Sequence, residues 1–75
     1  MPLIQVKLIE GVLSEPQKRQ VVQKLTDAMV SIEGENARPV TWVVVEEVKS
    51  GYWGIGGSPL TTADALAIIA GTRAG

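Results

Sequence analysis

The chain has 75 residues, a net charge of −1 and a hydrophobic content of 45%, with neither cysteine nor histidine. This length predicts a single domain over residues 1–75, whose core is marginal for its size. The composition excludes disulfides and the common zinc sites. Because oligomerisation is the remaining way to stabilise so small a core, we expect a homo-oligomer.

The charge pattern and the apolar runs exclude further classes of partner. The chain has no block of basic residues, which argues against nucleic acid. No apolar run is long enough to span a membrane, and the start lacks the pattern of a secretory signal peptide. We therefore expect a cytoplasmic protein with neither a nucleic acid nor a membrane as its partner.

The first strand begins with a proline. Residues 2–10 alternate between an apolar row and a mixed row, the pattern of a strand with one buried face. The apolar row consists of Ile4, Val6 and Leu8. Because Pro2 is small, an aminopeptidase can remove Met1. The ring nitrogen of Pro2 would then be a free secondary amine, able to carry a proton or attack a carbonyl, whereas within a chain it is an inert tertiary amide.

The segment after this strand is predicted to be a helix of about five turns. Ser14 and Gln17 have the spacing of a capping box, in which each side chain bonds the other residue's backbone. Pro16 falls in the first turn, where its missing N–H is tolerated. Apolar residues then recur at helical spacing from Val21 to Ile32, which indicates one buried stripe.

A second strand is predicted from Val40 to Val48, after a helix end at Gly34 and a polar loop over residues 33–38. Its centre, residues 42–45, is continuously apolar, as in strands that are covered on both faces. Strand, helix and strand form a βαβ unit with parallel strands and a right-handed crossover. One helix covers only one face of a two-stranded sheet, so we expect copies of the chain to cover the rest.

Glycine dominates the next segment, with four glycines among residues 51–57. Such a backbone reaches positive φ and fits a tight hairpin or a curled loop. It lacks the Gly-Lys-Ser/Thr ending of a phosphate-binding loop. Thr61 or Thr62 is then predicted to cap a short helix over Ala63–Ala70, and residues 72–75 are predicted to be frayed.

Several short motifs stand in a characteristic order: Pro2 opening a strand, Glu10-Gly11 closing it, Gln17-Lys18 at the helix start, and Glu47 leading into Gly51-Tyr52-Trp53-Gly54-Ile55-Gly56-Gly57. Together with the predicted elements, these motifs resemble the 4-oxalocrotonate tautomerase family over residues 2–57. The resemblance implies an α+β fold: a βαβ protomer with parallel strands and a C-terminal hairpin, to which this chain adds a short C-terminal helix. It also implies hexamers built from three dimers, with a dimer or trimer as alternatives, and catalysis without a cofactor or a metal.

The same resemblance assigns roles to individual residues. Pro2 matches the family's catalytic base and acid, and Trp53 matches an aromatic pocket wall. Where the family has two arginines for substrate carboxylate and enolate, this chain has Val12 and Trp42. Arg38, from the same chain or a neighbouring subunit, is a candidate replacement, although four residues along a strand displace it from position 42 by about 13 Å. Further candidate cations are Lys7 and Arg73.

By this resemblance the chain is a cofactor-free keto–enol tautomerase. Apolar neighbours would disfavour the charged form of a prolyl amine and lower its pKa, which suits a base at neutral pH. Without the two arginines, whose bidentate pairs with carboxylates are strong, we expect a small enol or 2-oxo acid with an apolar part rather than a dicarboxylate dienol. The alternatives are a hydratase, a dehalogenase or an iminium-forming variant, and a non-catalytic oligomeric or ligand-binding module. A retained Met1 would favour the last.

Overall fold

The computed structural model of the protein describes residues 2–71. Its elements are β1 (Leu3–Ile9), α1 (Glu15–Glu33), a 3₁₀ helix (Glu35–Val40), β2 (Trp42–Val48), β3 (Trp53–Ile55), β4 (Ser58–Leu60) and α2 (Thr62–Ile69). β1 and β2 form a parallel two-stranded sheet, and β3 and β4 form a separate antiparallel hairpin. The α+β fold predicted from the sequence is therefore confirmed.

The described chain divides into two compact units. The first contains residues 2–6 and 14–46, and the second contains residues 7–13 and 47–71. β1 and β2 each contribute residues to both units, whereas α1 and the 3₁₀ helix belong to the first and the hairpin and α2 to the second. Met1 and the predicted frayed end, residues 72–75, lie outside the described residues.

α1 begins and ends where its local chemistry requires. The side-chain Oγ of Ser14 accepts a hydrogen bond from the backbone N of Gln17 (3.3 Å), and the Oε1 of Gln17 accepts one from the backbone N of Ser14 (2.8 Å). This capping box satisfies two of the donors that a helix start leaves unpaired. At the other end Gly34 adopts φ +101° and donates its N–H to the carbonyl of Val30. Both predicted boundaries are confirmed.

The segment predicted as a polar loop over residues 33–38 is instead helical: a 3₁₀ helix follows Gly34 directly. Pro39 fits within it, because the φ that its ring imposes lies in the 3₁₀ range. The N–H of Thr41 bonds to the carbonyl of Arg38 (3.3 Å) as the helix ends. The second strand consequently begins at Trp42 rather than at Val40.

In the first unit, exposure alternates along both strands of the sheet. Ile4 and Val6 are half-buried on one face, and the α1 residue Val30 is 5% exposed. On the opposite face Leu3 is 54% exposed and Trp42 is 57% exposed. Large apolar side chains left in solvent along one sheet face are a feature of interfaces. This exposed face agrees with the prediction that copies of the chain cover the part of the sheet that the helix leaves open.

In the second unit, the glycine-rich segment forms the predicted hairpin. Trp53 pairs with Leu60 and Ile55 with Ser58, which leaves a two-residue turn. Both turn residues, Gly56 and Gly57, have positive φ, at +59° and +84°. A tight hairpin turn of this kind needs positive φ at both central positions, and glycine reaches it without steric penalty.

α2 follows the hairpin one residue earlier than the sequence predicts. Its N-cap is Thr61, whose Oγ1 accepts a hydrogen bond from the backbone N of Asp64 (3.1 Å). The carboxylate of Asp64 in turn accepts from the backbone N of Thr61 (3.1 Å). This second capping box leaves the side chain of Thr62, the first helical residue, available for other partners.

Candidate active site

Pro2 is fixed at the start of the sheet through its carbonyl group. The backbone N of Trp42 donates a hydrogen bond to the carbonyl oxygen of Pro2, with an N–O distance of 2.9 Å. The pairing of the two strands therefore extends to the first described residue. It does not involve the ring nitrogen, because proline has no N–H to offer a ladder. The structure thus brings together two of the predicted site residues, Pro2 and Trp42.

Trp42 presents an apolar surface beside this hydrogen bond. The indole is more than half exposed, as is the side chain of Leu3, and Val44 is partly exposed two residues along β2. Side chains two apart on a strand share a face, so Trp42 and Val44 form a continuous apolar strip. By the family resemblance, Trp42 stands where an arginine is expected. An apolar strip at that position favours contact with an uncharged group.

Arg38 is engaged by two carboxylates of its own unit. Its Nη1 lies 2.6 Å from the Oδ1 of Asp27, and its Nε lies 2.7 Å from the Oε1 of Glu35. These bonds raise the pKa of the Arg38 guanidinium and lower the pKa of the Glu35 carboxyl below its ordinary 4.5. A substrate carboxylate at Arg38 would have to compete with both acidic partners.

Val12 lies in the turn between β1 and α1, within the second unit. It is half-buried, and its N–H makes a long 3.4 Å hydrogen bond to the carbonyl of Ile9. The preceding Gly11 has φ +81°, and a Cβ added to it would lie 3.1 Å from the Cγ2 of Thr62. Both the positive φ and the close approach favour glycine at this position. The turn that carries Val12 is therefore packed against the start of α2.

Trp53, the predicted aromatic wall, is a half-buried residue of the hairpin. It is paired across the hairpin with Leu60, one of the most buried residues in the described chain. Its neighbour Tyr52 is 75% exposed, with the Nζ of Lys49 at 5.5 Å from the centre of its ring. That distance suits a cation–π contact.

The candidate site residues are divided between the two units. Pro2, Trp42 and Arg38 belong to the first unit, and Val12 and Trp53 belong to the second.

A closed ring of three hydrogen bonds, not predicted from the sequence, joins Glu10, Ser50 and Thr62 in the second unit. The Oε1 of Glu10 accepts from the backbone N of Ser50 (3.2 Å), and the Oγ of Ser50 accepts from the backbone N of Thr62 (2.9 Å). The Oγ1 of Thr62 closes the ring by donating to the carbonyl oxygen of Glu10 (2.6 Å). We call these three residues the Thr62 clamp. In the sequence, Thr62 is recognised only as one of two candidate caps for the helix that follows.

The described residues offer neither a cluster of metal ligands nor a membrane-spanning helix. Residues 2–71 contain no group of three or more aspartate, glutamate, histidine or cysteine residues placed to hold a metal ion. The helices in that range are too short or too polar to cross a membrane. Of the remaining candidate cations, Lys7 is exposed on β1, and Arg73 lies outside the described residues.

Comparison with known proteins gives a consistent set of relatives. A sequence model of the tautomerase family, described as "Tautomerase enzyme", matches residues 2–63. A "Probable tautomerase" from Staphylococcus aureus is 40% identical over 57 residues, which are 76% of this chain and 90% of that protein. Another, from Ralstonia nicotianae, is 41% identical over 63 residues, or 84% of this chain and 87% of that protein.

A solved structure agrees with the sequence relatives. The crystal structure of TomN, described as a 4-oxalocrotonate tautomerase homologue of the tomaymycin biosynthetic pathway, superposes with a TM-score of 0.70 at 32% identity. The alignment covers 88% of this chain and 95% of TomN. The sequence match includes Pro2, Val12, Trp42 and Trp53, whereas residues 64–69 of α2 lie beyond the end of the family match.

Proposed function

The chain belongs to the tautomerase family of isomerases, and from this premise we propose a cofactor-free keto–enol tautomerase that uses Pro2, exposed by removal of Met1, as its general base and acid. The observation that carries the proposal is the hydrogen bond from the N–H of Trp42 to the carbonyl of Pro2. It anchors the residue through one group and leaves the ring nitrogen for chemistry. A positioned acid–base group is worth about 10²- to 10⁴-fold in rate.

The proposed reaction transfers one proton from the enol oxygen to carbon and leaves every other proton of the substrate in place. The neutral ring nitrogen of Pro2 takes the proton of an enol hydroxyl, and the oxygen forms a carbonyl as the electrons of the carbon–carbon double bond move to carbon. The protonated amine then gives its proton to that carbon. The enzyme returns to its starting state, so the cycle needs neither an oxidant nor a reductant. A neutral amine is required at the first step, and apolar surroundings favour it.

The substrate follows from what replaces the two family arginines. Val12 and Trp42 are apolar, and Trp53 adds a second indole in the hairpin. We therefore propose as substrate a small enol or 2-oxo acid with an apolar part, and we propose each of Val12, Trp42 and Trp53 singly as a candidate contact on the basis of the family resemblance. We leave Arg38 out of the substrate site, because Asp27 and Glu35 already bind its guanidinium.

The experiment that tests this proposal has two steps. Intact-mass measurement of the purified protein should give a mass without Met1, because only then is the Pro2 nitrogen an amine. The ketonisation of phenylenolpyruvate should then proceed with a higher kcat/KM than the isomerisation of a dicarboxylate dienol. Faster turnover of the dicarboxylate would sink the substrate assignment. Retention of Met1 in protein from the native source would sink the role of Pro2.

Proteins of this family are small homo-oligomers, and we propose for this chain a hexamer of three dimers. The exposed apolar face of the sheet, with Leu3 and Trp42, supports the proposal, because a second copy would remove it from water. Light scattering on eluting protein should give six times the chain mass of 8.0 kDa. A monomer at micromolar concentration would exclude every oligomeric form. The cytoplasmic location stays a prediction.

A further inference from the structure

We propose that Thr62 is a positioning residue that uses α2 to hold the turn carrying Val12. The turn formed by residues 10–13 connects β1 to α1. Its first residue, Glu10, donates its N–H to the carbonyl of Val48 (2.8 Å) and accepts at its own carbonyl from the hydroxyl of Thr62 (2.6 Å). The next bond along the turn, from Val12 to Ile9, is long. The Thr62 hydroxyl therefore adds a short bond at the point where the turn begins, beside the backbone bond from Glu10 to Val48.

The clamp is closed, and this makes it more than one contact. Glu10, Ser50 and Thr62 each donate or accept in a ring of three bonds that join segments 12, 40 and 52 residues apart in the sequence. The three bonds use different groups of each residue, so each adds its own link between the end of β1, the loop before the hairpin and the start of α2. Loss of the Thr62 hydroxyl therefore frees the Glu10 carbonyl, while the bond from the backbone N of Thr62 to the Oγ of Ser50 still holds the start of α2.

Close packing adds a steric component to the clamp. The methyl group of Thr62 lies against the Cα of Gly11, where an added Cβ would approach Cγ2 to within 3.1 Å. The two functional groups of the Thr62 side chain thus have separate contacts: the hydroxyl binds Glu10, and the methyl covers Gly11. Substitutions that remove one group at a time can separate these contacts.

The position of the clamp links it to substrate binding. Val12 follows Gly11 directly and holds the place of a family arginine. A side chain that contacts substrate must keep its position, and small displacements far from the chemistry lower activity substantially. Most of α2 lies beyond the family match, which ends at residue 63. We infer that this added helix fixes a turn that in this chain carries an apolar residue.

The test compares three full-length variants. Thr62→Val removes the hydroxyl and keeps the branched shape. Thr62→Ser keeps the hydroxyl and removes the methyl. Thr61→Val is the matched control, because it removes the N-cap of the same helix without a contact to the clamp. For each variant, steady-state kinetics on phenylenolpyruvate and hydrogen exchange of the amides in residues 11–13 are measured.

We expect Thr62→Val to raise KM about five- to tenfold, the range of one hydrogen bond, with kcat changed less than twofold. Its turn amides should exchange about tenfold faster. Thr62→Ser should keep both quantities near wild type, and Thr61→Val, which weakens the helix start but leaves the clamp bonds in place, should raise KM less than Thr62→Val does. Wild-type KM and exchange in Thr62→Val would overturn the inference, as would an equal rise of KM in Thr61→Val.

The role of Val12 in this inference rests on the proposed function, and the two can fail separately. If Pro2 proves dispensable, the proposed mechanism fails, but hydrogen exchange still decides whether Thr62 holds the turn. If Pro2 is essential and exchange in Thr62→Val matches the wild type, the mechanism stands and the positioning role is excluded.

Discussion

Replacing Pro2 with alanine is expected to lower kcat/KM for enol ketonisation by about 10²- to 10⁴-fold, the usual contribution of a positioned acid–base group. Alanine also permits removal of Met1, so the chain of the variant still begins with a free amine. That amine is primary and lacks the ring that fixes its direction. The lower end of the range is therefore the expected one. Steady-state kinetics on phenylenolpyruvate measure it, with intact mass recorded for each preparation.

Two further preparations make the result specific to the Pro2 nitrogen. An uncleaved amino-terminal extension keeps the proline ring but converts its nitrogen to an amide, and should abolish activity until it is cleaved. Pro16→Ala changes another proline, in the first turn of α1, and should leave kcat/KM within about twofold. Equal rates for Pro2→Ala and wild type, both without Met1, would remove Pro2 from the mechanism.

Replacing Val12 with arginine is expected to raise kcat/KM for a dicarboxylate dienol by about 10- to 100-fold. A charge-assisted bond contributes about 1.5–3 kcal/mol, and the bidentate geometry of arginine matches a carboxylate. Val12 is half-buried, and an arginine there can keep its head in water while its stem packs. The gain should be confined to the charged substrate, so kinetics are compared on the dienol and on phenylenolpyruvate.

Val12→Gln is the matched control for this change, since it adds length and hydrogen-bonding capacity without charge. An equal gain from glutamine would show that size, not charge, limits the dicarboxylate. No gain from arginine in a variant with wild-type thermal stability would place Val12 away from the substrate carboxylate. Either result would redirect the search for the missing cation to the other family arginine position, now Trp42.

Local sequence signals predicted most of the fold. The Ser14–Gln17 capping box, the helix end at Gly34 and the two-glycine turn of the hairpin depend on contacts within about four residues, which a sequence pattern contains. The polarity of residues 33–38 predicts a loop, whereas the structure has a 3₁₀ helix from Glu35. It is accompanied by an ion pair between Arg38 and Asp27, which are 11 residues apart. No local pattern reports such a pair.

The candidate site likewise combines residues that the sequence indicates with contacts that only the structure shows. Pro2, Val12, Trp42 and Trp53 are candidates because a family resemblance aligns them by order and spacing. The Thr62 clamp was missed because Thr62 and Glu10 are 52 residues apart, and a threonine before a helix reads as a cap. Its neighbour Thr61 takes that role and leaves Thr62 free to bind elsewhere. Long-range hydrogen bonds of this kind require coordinates.

The bond between the carbonyl of Pro2 and the N–H of Trp42 has a consequence for the maturation of the protein. Pro2 contributes two atoms with separate roles. Its carbonyl oxygen accepts a hydrogen bond within the sheet, and under the proposed mechanism its ring nitrogen accepts and returns the proton. Cleavage after Met1 changes the nitrogen from an amide to an amine and leaves the carbonyl oxygen unchanged. A chain that still carries Met1 can therefore make this strand pairing, and under the proposed mechanism removal of Met1 would supply the amine that the reaction needs.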